Sequence, residues 1–176
     1  MQRKTDRRGL FLFGLALLII VLDQWSKTWV RANLALNESW MPIAWLDPFV
    51  TFTHIHNTGV AFGMLQNRGI LFVIVNLVVV AAIIAYYWRI ESNSWLLRIA
   101  LALELGGAIG NLIDRLARGY VTDFVNVRFF AVFNVADSCI TVGAILLGIY
   151  ALFLDRDQPE VAAQAISADQ PTQDAD

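Results

Sequence analysis

Four long apolar stretches divide the chain, each bounded by polar or aromatic residues. The first covers about 9–30, with FLFGLALLIIVL at its centre; the second covers 69–88 (GILFVIVNLVVVAAIIAYYW). The third covers 95–113 (WLLRIALALELGGAIGNLI), and the fourth covers 133–154. An α-helix needs about 20 mostly apolar residues to cross the roughly 30 Å hydrocarbon layer of a bilayer. The pattern therefore predicts four transmembrane helices. Trp25 and Trp29, then Tyr86, Tyr87 and Trp88, then Trp95 lie at helix ends, where an interfacial aromatic belt belongs. No internal repeat is visible.

A different period occurs between the first two spans. Phe49, Thr51, Thr53 and Ile55 alternate with Val50, Phe52, His54 and His56, which predicts a strand over 49–57. Asn57-Thr58-Gly59 then marks a turn. This predicts a small sheet on the membrane surface. The basic start (Arg3, Lys4, Arg7, Arg8) places the N-terminus in the cytoplasm, and four spans return the C-terminus there. Segments 31–68 and 114–132 then face outward, with Arg115, Arg118 and Arg128 as exceptions to the charge rule. The first segment also has the look of a secretory signal, with a weak small-residue site at Ala35. Asp23 and Lys27 between the apolar run and that site fit a retained helix better. Residues 155–176 are acidic and polar without apolar period, and are expected to be a disordered tail after a membrane domain over 1–154.

Composition agrees with a membrane protein. The chain of 176 residues is 57% hydrophobic and 16% charged, against about 25% charged in soluble domains. Its net charge of −2 gives no reason to expect a nucleic-acid partner. The single cysteine, Cys139, excludes an internal disulfide framework and a multi-cysteine metal site.

Burying a charge in lipid costs at least about 2.5–3.5 kcal/mol, so polar residues in the spans are functional candidates. They are Asp23, Lys27, Glu104, Asn111, Asp114 and Arg115, with Asp123, Asn134 and Asp137 at the edge. Asp23 and Lys27 are spaced i, i+4, as in a helical salt bridge. Gly106 and Gly110 have the spacing of close helix packing, which leaves Asn111, Asp114 and Arg115 unexplained. Asn134 and Asp137 fit a helix N-cap and its N3 partner. Asp123 fits an exposed loop. Taken together, Asp123 and Asp137 admit a sharper reading. Two carboxylates in one site share a proton, so one acts as base on water while the other donates to a carbonyl. That is aspartyl protease chemistry, which needs neither metal nor cofactor.

Three other readings compete. Buried carboxylates also suit a small proton-coupled transporter, although these cluster toward the outer ends rather than the midplane. A Ser/Lys hydrolase would use Ser138, or Ser26 with Lys27, whose side chains diverge on a helix. A metal hydrolase would use His54 and His56, without an H-E-x-x-H motif.

Five stretches in order, LDQWSK (22–27), HNTGVAFG (56–63), GGAIGNLIDRL (106–116), GYVTDFV (119–125) and FNVADSCITVG (133–143), resemble the bacterial lipoprotein signal peptidase family, signal peptidase II. The resemblance covers about residues 10–154. It implies an all-α membrane protein of four transmembrane helices with a small extracytoplasmic β-sheet and a short outer helix. It implies an inner-membrane aspartyl endopeptidase that cuts prolipoproteins before a diacylglyceryl-modified cysteine. Asp123 and Asp137 match the family's catalytic dyad. Asp23, Lys27, Asn57, Gly107, Asn111, Asp114, Arg115, Asn134 and Ala136 match its substrate-binding or supporting positions. Asp114 or nearby carbonyls are expected to hold Arg115 beside the dyad, and the loop 31–68 is expected to act as a lid. Membrane lipids and globomycin-type inhibitors are further implied partners. Glu104 departs from the pattern, which suggests an apolar residue there; it shares a helix face with Ala108, Asn111 and Arg115.

Overall fold

A computed structural model describes residues 7–59, 69–89 and 94–154. Helix α1 (Arg7–Asn33) is followed by strands β1 (Ser39–Trp40) and β2 (Val50–Asn57). Then come α2 (Gly69–Tyr87), α3 (Trp95–Arg118), β3 (Val121–Val127) and α4 (Val135–Ile149), which ends in a π-helical turn (Tyr150–Leu154). Among the described residues four helices are long and apolar enough to cross a membrane, as the sequence pattern predicts. The tail over 155–176, the first six residues and residues 60–63 of the 56–63 motif lie outside the described residues.

Helix α3 is the axis of the bundle and packs against α1, α2 and α4. Its small residues permit this closeness. A Cβ on Gly106 would stand 2.9 Å from the Ala16 carbonyl of α1, and one on Gly107 would stand 2.6 Å from the Ala136 carbonyl of α4. The core joins Leu12 and Ala16 of α1, Ile83 of α2, Leu97, Leu101, Ala102 and Leu105 of α3, and Tyr150. The outward faces stay apolar, with Leu17, Ile70, Val78 and Ile145 all exposed. In a water-soluble domain such a surface would drive association, whereas lipid accepts it.

Helix α3 runs to Arg118 rather than stopping near Ile113 as the hydropathy suggests. Ser94 caps its start by accepting from the Leu97 N–H. At its end Gly119 takes φ 79°, a left-handed conformation suited to glycine, and donates its N–H to the Arg115 carbonyl. The extension carries the helix through Arg118, so that Asp114, Arg115 and Arg118 all lie on it.

The sheet is antiparallel, in the order β1-β2-β3. β2 begins at Val50, one residue after the predicted start. β3 pairs with it so that Ile55 faces Asp123 and Asn57 faces Val121, with a bulge between Phe52 and Ile55. The apolar run Val121–Val127 therefore is a strand, and Asp123 is not in an exposed loop. Between β1 and β2, residues 43–49 make consecutive turns. The short outer helix implied by the resemblance is not among the described elements. Val30 and Leu34 of α1 and Phe124 of β3 form a second core, joined by Phe52, Val125 and Val135, that fastens the sheet to the bundle.

Candidate active site

The site forms where α1, α3, β3 and α4 meet. At the start of α4, Asn134 is the N-cap: its Oδ1 accepts the Asp137 N–H at 3.0 Å. Asp137 Oδ2 accepts the Asn134 N–H at 3.2 Å, completing a capping box. The cap reading of these residues is thus correct, and it leaves the rest of both side chains available. The Asn134 Nδ2 group donates to Asp123 Oδ1 at 2.7 Å and to Asn111 Oδ1 at 3.2 Å. The Asn111 Nδ2 group donates to Asp137 Oδ1 at 2.7 Å. Asn57, across the sheet, donates to Asp123 Oδ2 at 2.8 Å. Asp123 and Asp137 are therefore joined through two neutral amides.

Asp123 is 1% exposed. Burial pushes its carboxyl up to about 6, and the Asp137 charge adds to the rise. The hydrogen bonds from Asn57 and Asn134 and the charge of Lys27 oppose it. A cavity of about 290 Å³ opens beside Asp123, lined by Ile55, His56, Asn57, Thr58, Ala131 and Val132. A larger cavity of about 470 Å³ lies between the 47–51 turn and Asn126, Arg128 and Phe129; no candidate residue lines it. Chemistry, not size, identifies the site.

A second cluster lies directly behind the first. Lys27 and Asp23 pair at 2.8 Å and Lys27 and Asp114 at 3.4 Å, all three side chains fully buried. The same ammonium donates to Asn111 Oδ1 at 2.8 Å. Asp23 Oδ1 accepts the Ala136 N–H at 3.0 Å, which ties α1 to the first turn of α4. Asp114 Oδ2 accepts the Thr122 N–H at 3.1 Å, one residue before Asp123. Gly107 and Gly110 let α3 approach Ala136 and Asp23 so closely.

Arg115 differs from expectation. Asp114 takes Lys27, Arg118 at 3.0 Å and Arg31 at 3.6 Å instead. The Arg115 guanidinium lies over the Phe72 ring of α2, 5.3 Å from its centroid, within electrostatic reach of Asp137 and Asp123. Adjacent residues on a helix diverge by about 100°, so Asp114 and Arg115 face different neighbours. The sequence reading missed Gln24, Arg31 and Thr122. Gln24 donates to the Gly110 carbonyl at 2.9 Å, and Arg31 to Thr122 Oγ1 at 2.9 Å. The i, i+4 steps from Lys27 to Arg31 and from Asp114 to Arg118 were the available signals.

The Ser/Lys pairings are not assembled. Ser26 donates to the Asp23 carbonyl and Ser138 to the Asn134 carbonyl, so neither hydroxyl is bonded to Lys27. His54 Nδ1 meets the Leu34 carbonyl at 2.9 Å, while His56 stacks on Tyr120 at 3.7 Å. Burial, then the charges of His54 and Arg31, lowers the His56 ring below its ordinary value.

Comparison with known proteins agrees with this geometry. A family model described as signal peptidase (SPase) II matches residues 15–153. The lipoprotein signal peptidase of Moorella thermoacetica is 47% identical over 133 residues, 76% of this chain and 87% of that protein. That of Acinetobacter baylyi is 40% identical over 174 residues, 90% of this chain and 95% of that one. A solved bacterial membrane enzyme, determined by the in meso method at 2.3 Å, superposes with a TM-score of 0.74 at 29% identity. That match covers 83% of this chain and 89% of the other. These matches and the four spans describe a multi-pass bacterial membrane peptidase. The chain belongs to the signal peptidase II family.

Proposed function

We propose that this protein is an aspartyl endopeptidase that removes signal peptides from diacylglyceryl-modified prolipoproteins, cutting before the lipidated cysteine. The observation that carries the reading is the pair of carboxylates, Asp123 and Asp137, bridged by Asn111 and Asn134 and backed by a neutralised charge cluster. With its carboxyl raised to about 6, Asp123 holds a proton well above the ordinary carboxylate range. The unprotonated carboxylate takes a proton from water as the oxygen attacks the scissile carbonyl. The protonated carboxyl donates to the developing oxyanion, and the leaving amine then receives a proton from the dyad.

The supporting residues divide by chemistry. Asn57, Asn111 and Asn134 orient the dyad by hydrogen bonds that carry no net charge. Asp23, Lys27 and Asp114 fix the joints between α1, α3 and α4, where Gly107 and Ala136 allow close packing. Arg115 biases the dyad toward holding one negative charge. The protein resides in the inner membrane with both termini cytoplasmic, a membrane domain over 1–154 and a tail beyond it. The site opens near the outer face, where water is available. The acyl chains of substrate and lipid lie along the bundle, and globomycin-type inhibitors occupy the dyad.

The test is release of signal peptide from a diacylglyceryl-modified prolipoprotein by purified wild type, Asp123→Asn and Asp137→Asn. Cleavage by the wild type alone, with all three proteins equally folded, supports the dyad. Activity surviving in either variant reduces that residue to a structural role. Proton-linked solute uptake without cleavage would replace this reading with a transporter.

A further inference from the structure

Glu104 is a half-buried carboxyl in the middle of α3, and the dyad does not use it. Among the described residues no group hydrogen-bonds it. It stands on the α3 face that carries Ala108, Asn111 and Arg115 at i+4, i+7 and i+11. The neighbours of that face are unequal. On one side, α2 places Asn76 on the Ala108 carbonyl, and Val79 and Val80 pack on the cluster that holds Leu101 and Leu105. On the other side, α4 lays Ile140 against Gly107 and Gly143 against Glu104. A Cβ on Gly143 would stand 3.1 Å from Glu104 Oε1, so the missing side chain gives the carboxyl its room. α2 and α4 flank α3 without an extensive contact of their own. Glu104 is thus partly exposed on the face of α3 between α2 and α4, two turns from the buried Asn111.

Seven residues of α-helix separate Glu104 from Asn111, a depth of about 10 Å. A signal helix lying along this face of α3 with its scissile bond at the dyad places a residue roughly two turns upstream opposite Glu104. A protonated carboxyl offers one O–H donor and one carbonyl acceptor. The backbone of the substrate helix is already paired internally, so a side chain is what remains to be read. A serine or threonine hydroxyl complements both functions of the carboxyl.

Resting on the peptidase reading above, we propose that Glu104 is a specificity-determining residue. It binds a hydroxyl-bearing side chain of the signal helix about two turns before the cleavage point.

The test uses the full-length protein in detergent with diacylglyceryl-modified prolipoproteins that differ at one residue. Serine replaces leucine in turn at each position from about five to nine residues upstream of the cut. The wild type is expected to show a KM lower by about 3- to 10-fold for serine at one of these positions, the worth of one net hydrogen bond. Glu104→Gln keeps that preference, because an amide also donates and accepts. Glu104→Leu and Glu104→Met bring the serine-to-leucine ratio of kcat/KM near unity, and whichever of them folds serves. The same ratio in the wild type and the apolar variant overturns the proposal, as does the lack of any preferred position. A wild type that cleaves none of the substrates overturns instead the peptidase reading beneath it.

Discussion

Two clusters of carboxylates lie side by side in this protein, and they are neutralised in opposite ways. Asp23 and Asp114 contact cations directly: Lys27 touches both, and Arg31 and Arg118 approach Asp114. Asp123 and Asp137 accept only neutral amide and backbone donors, from Asn57, Asn111 and Asn134. A carboxylate beside a buried cation has its counter-charge in contact, and removing either partner strands the other. A carboxylate pair held by amides has no such counter-charge in contact. The first arrangement suits a joint between helices and the second suits acid–base chemistry. Asn111 connects them, since its oxygen accepts from Lys27 while its amide donates to Asp137.

This contrast breaks if the two clusters respond alike to substitution. The largest effect belongs to the dyad: Asp123→Asn or Asp137→Asn should lower cleavage by about 10²- to 10⁴-fold, the worth of general acid–base catalysis. Thermal unfolding in detergent should show these variants folded. Lys27→Met should do the reverse. It leaves Asp23 and Asp114 buried beside an apolar side chain and should cost about 3–5 kcal/mol of stability. A Lys27→Met protein with the wild-type melting temperature would show that the cluster is not a structural joint.

A third measurement follows the proton. The folded carboxyl of Asp123 is raised from 3.8 to about 6. Its contribution to stability is therefore fully present below about pH 4 and lost as pH rises through about 6. The difference is on the order of 3 kcal/mol. Asp123→Asn cannot titrate and should lack this loss. The melting temperature of the wild type should fall relative to that of Asp123→Asn between pH 4 and pH 8. A constant offset between the two across that range would contradict the raised carboxyl.

The proposed dyad stood out in the sequence because lipid makes every buried charge conspicuous. Asp123 and Asp137 stood out against apolar surroundings, and motif order supplied the family. The four spans were equally clear, since 20-residue apolar runs leave few alternatives. β3 was not legible, because VTDFVNV lacks the alternation that revealed β2. Its strand character comes from pairing with β2 and packing on Val30 and Leu34. The end of α3 was misjudged for a related reason. Hydropathy reports where apolar residues stop, whereas the helix stops at the left-handed Gly119 cap. That extra turn decides the partners of Asp114, so the expected Asp114–Arg115 pairing gave way to Arg118 and Lys27.

The smallest effect sharpens the comparison within one cluster. Arg118 bonds the same Asp114 that Lys27 touches, at the shorter distance of 3.0 Å against 3.4 Å. Distance alone would rank Arg118 as the stronger partner. Its side chain, however, is 32% exposed, whereas that of Lys27 is fully buried. Water can solvate the guanidinium and screen its attraction, and Asp114 retains Lys27 and the Thr122 N–H when Arg118 is removed. Arg118→Gln should therefore cost only about 0.2–1 kcal/mol, in the range of exposed ion pairs, with little change in cleavage. Parallel melts of Arg118→Gln and Lys27→Met test the ranking. A loss at Arg118 as large as that at Lys27 would mean that burial does not set the strength of this cluster, and the distinction drawn between the two carboxylate sites would lose its physical basis.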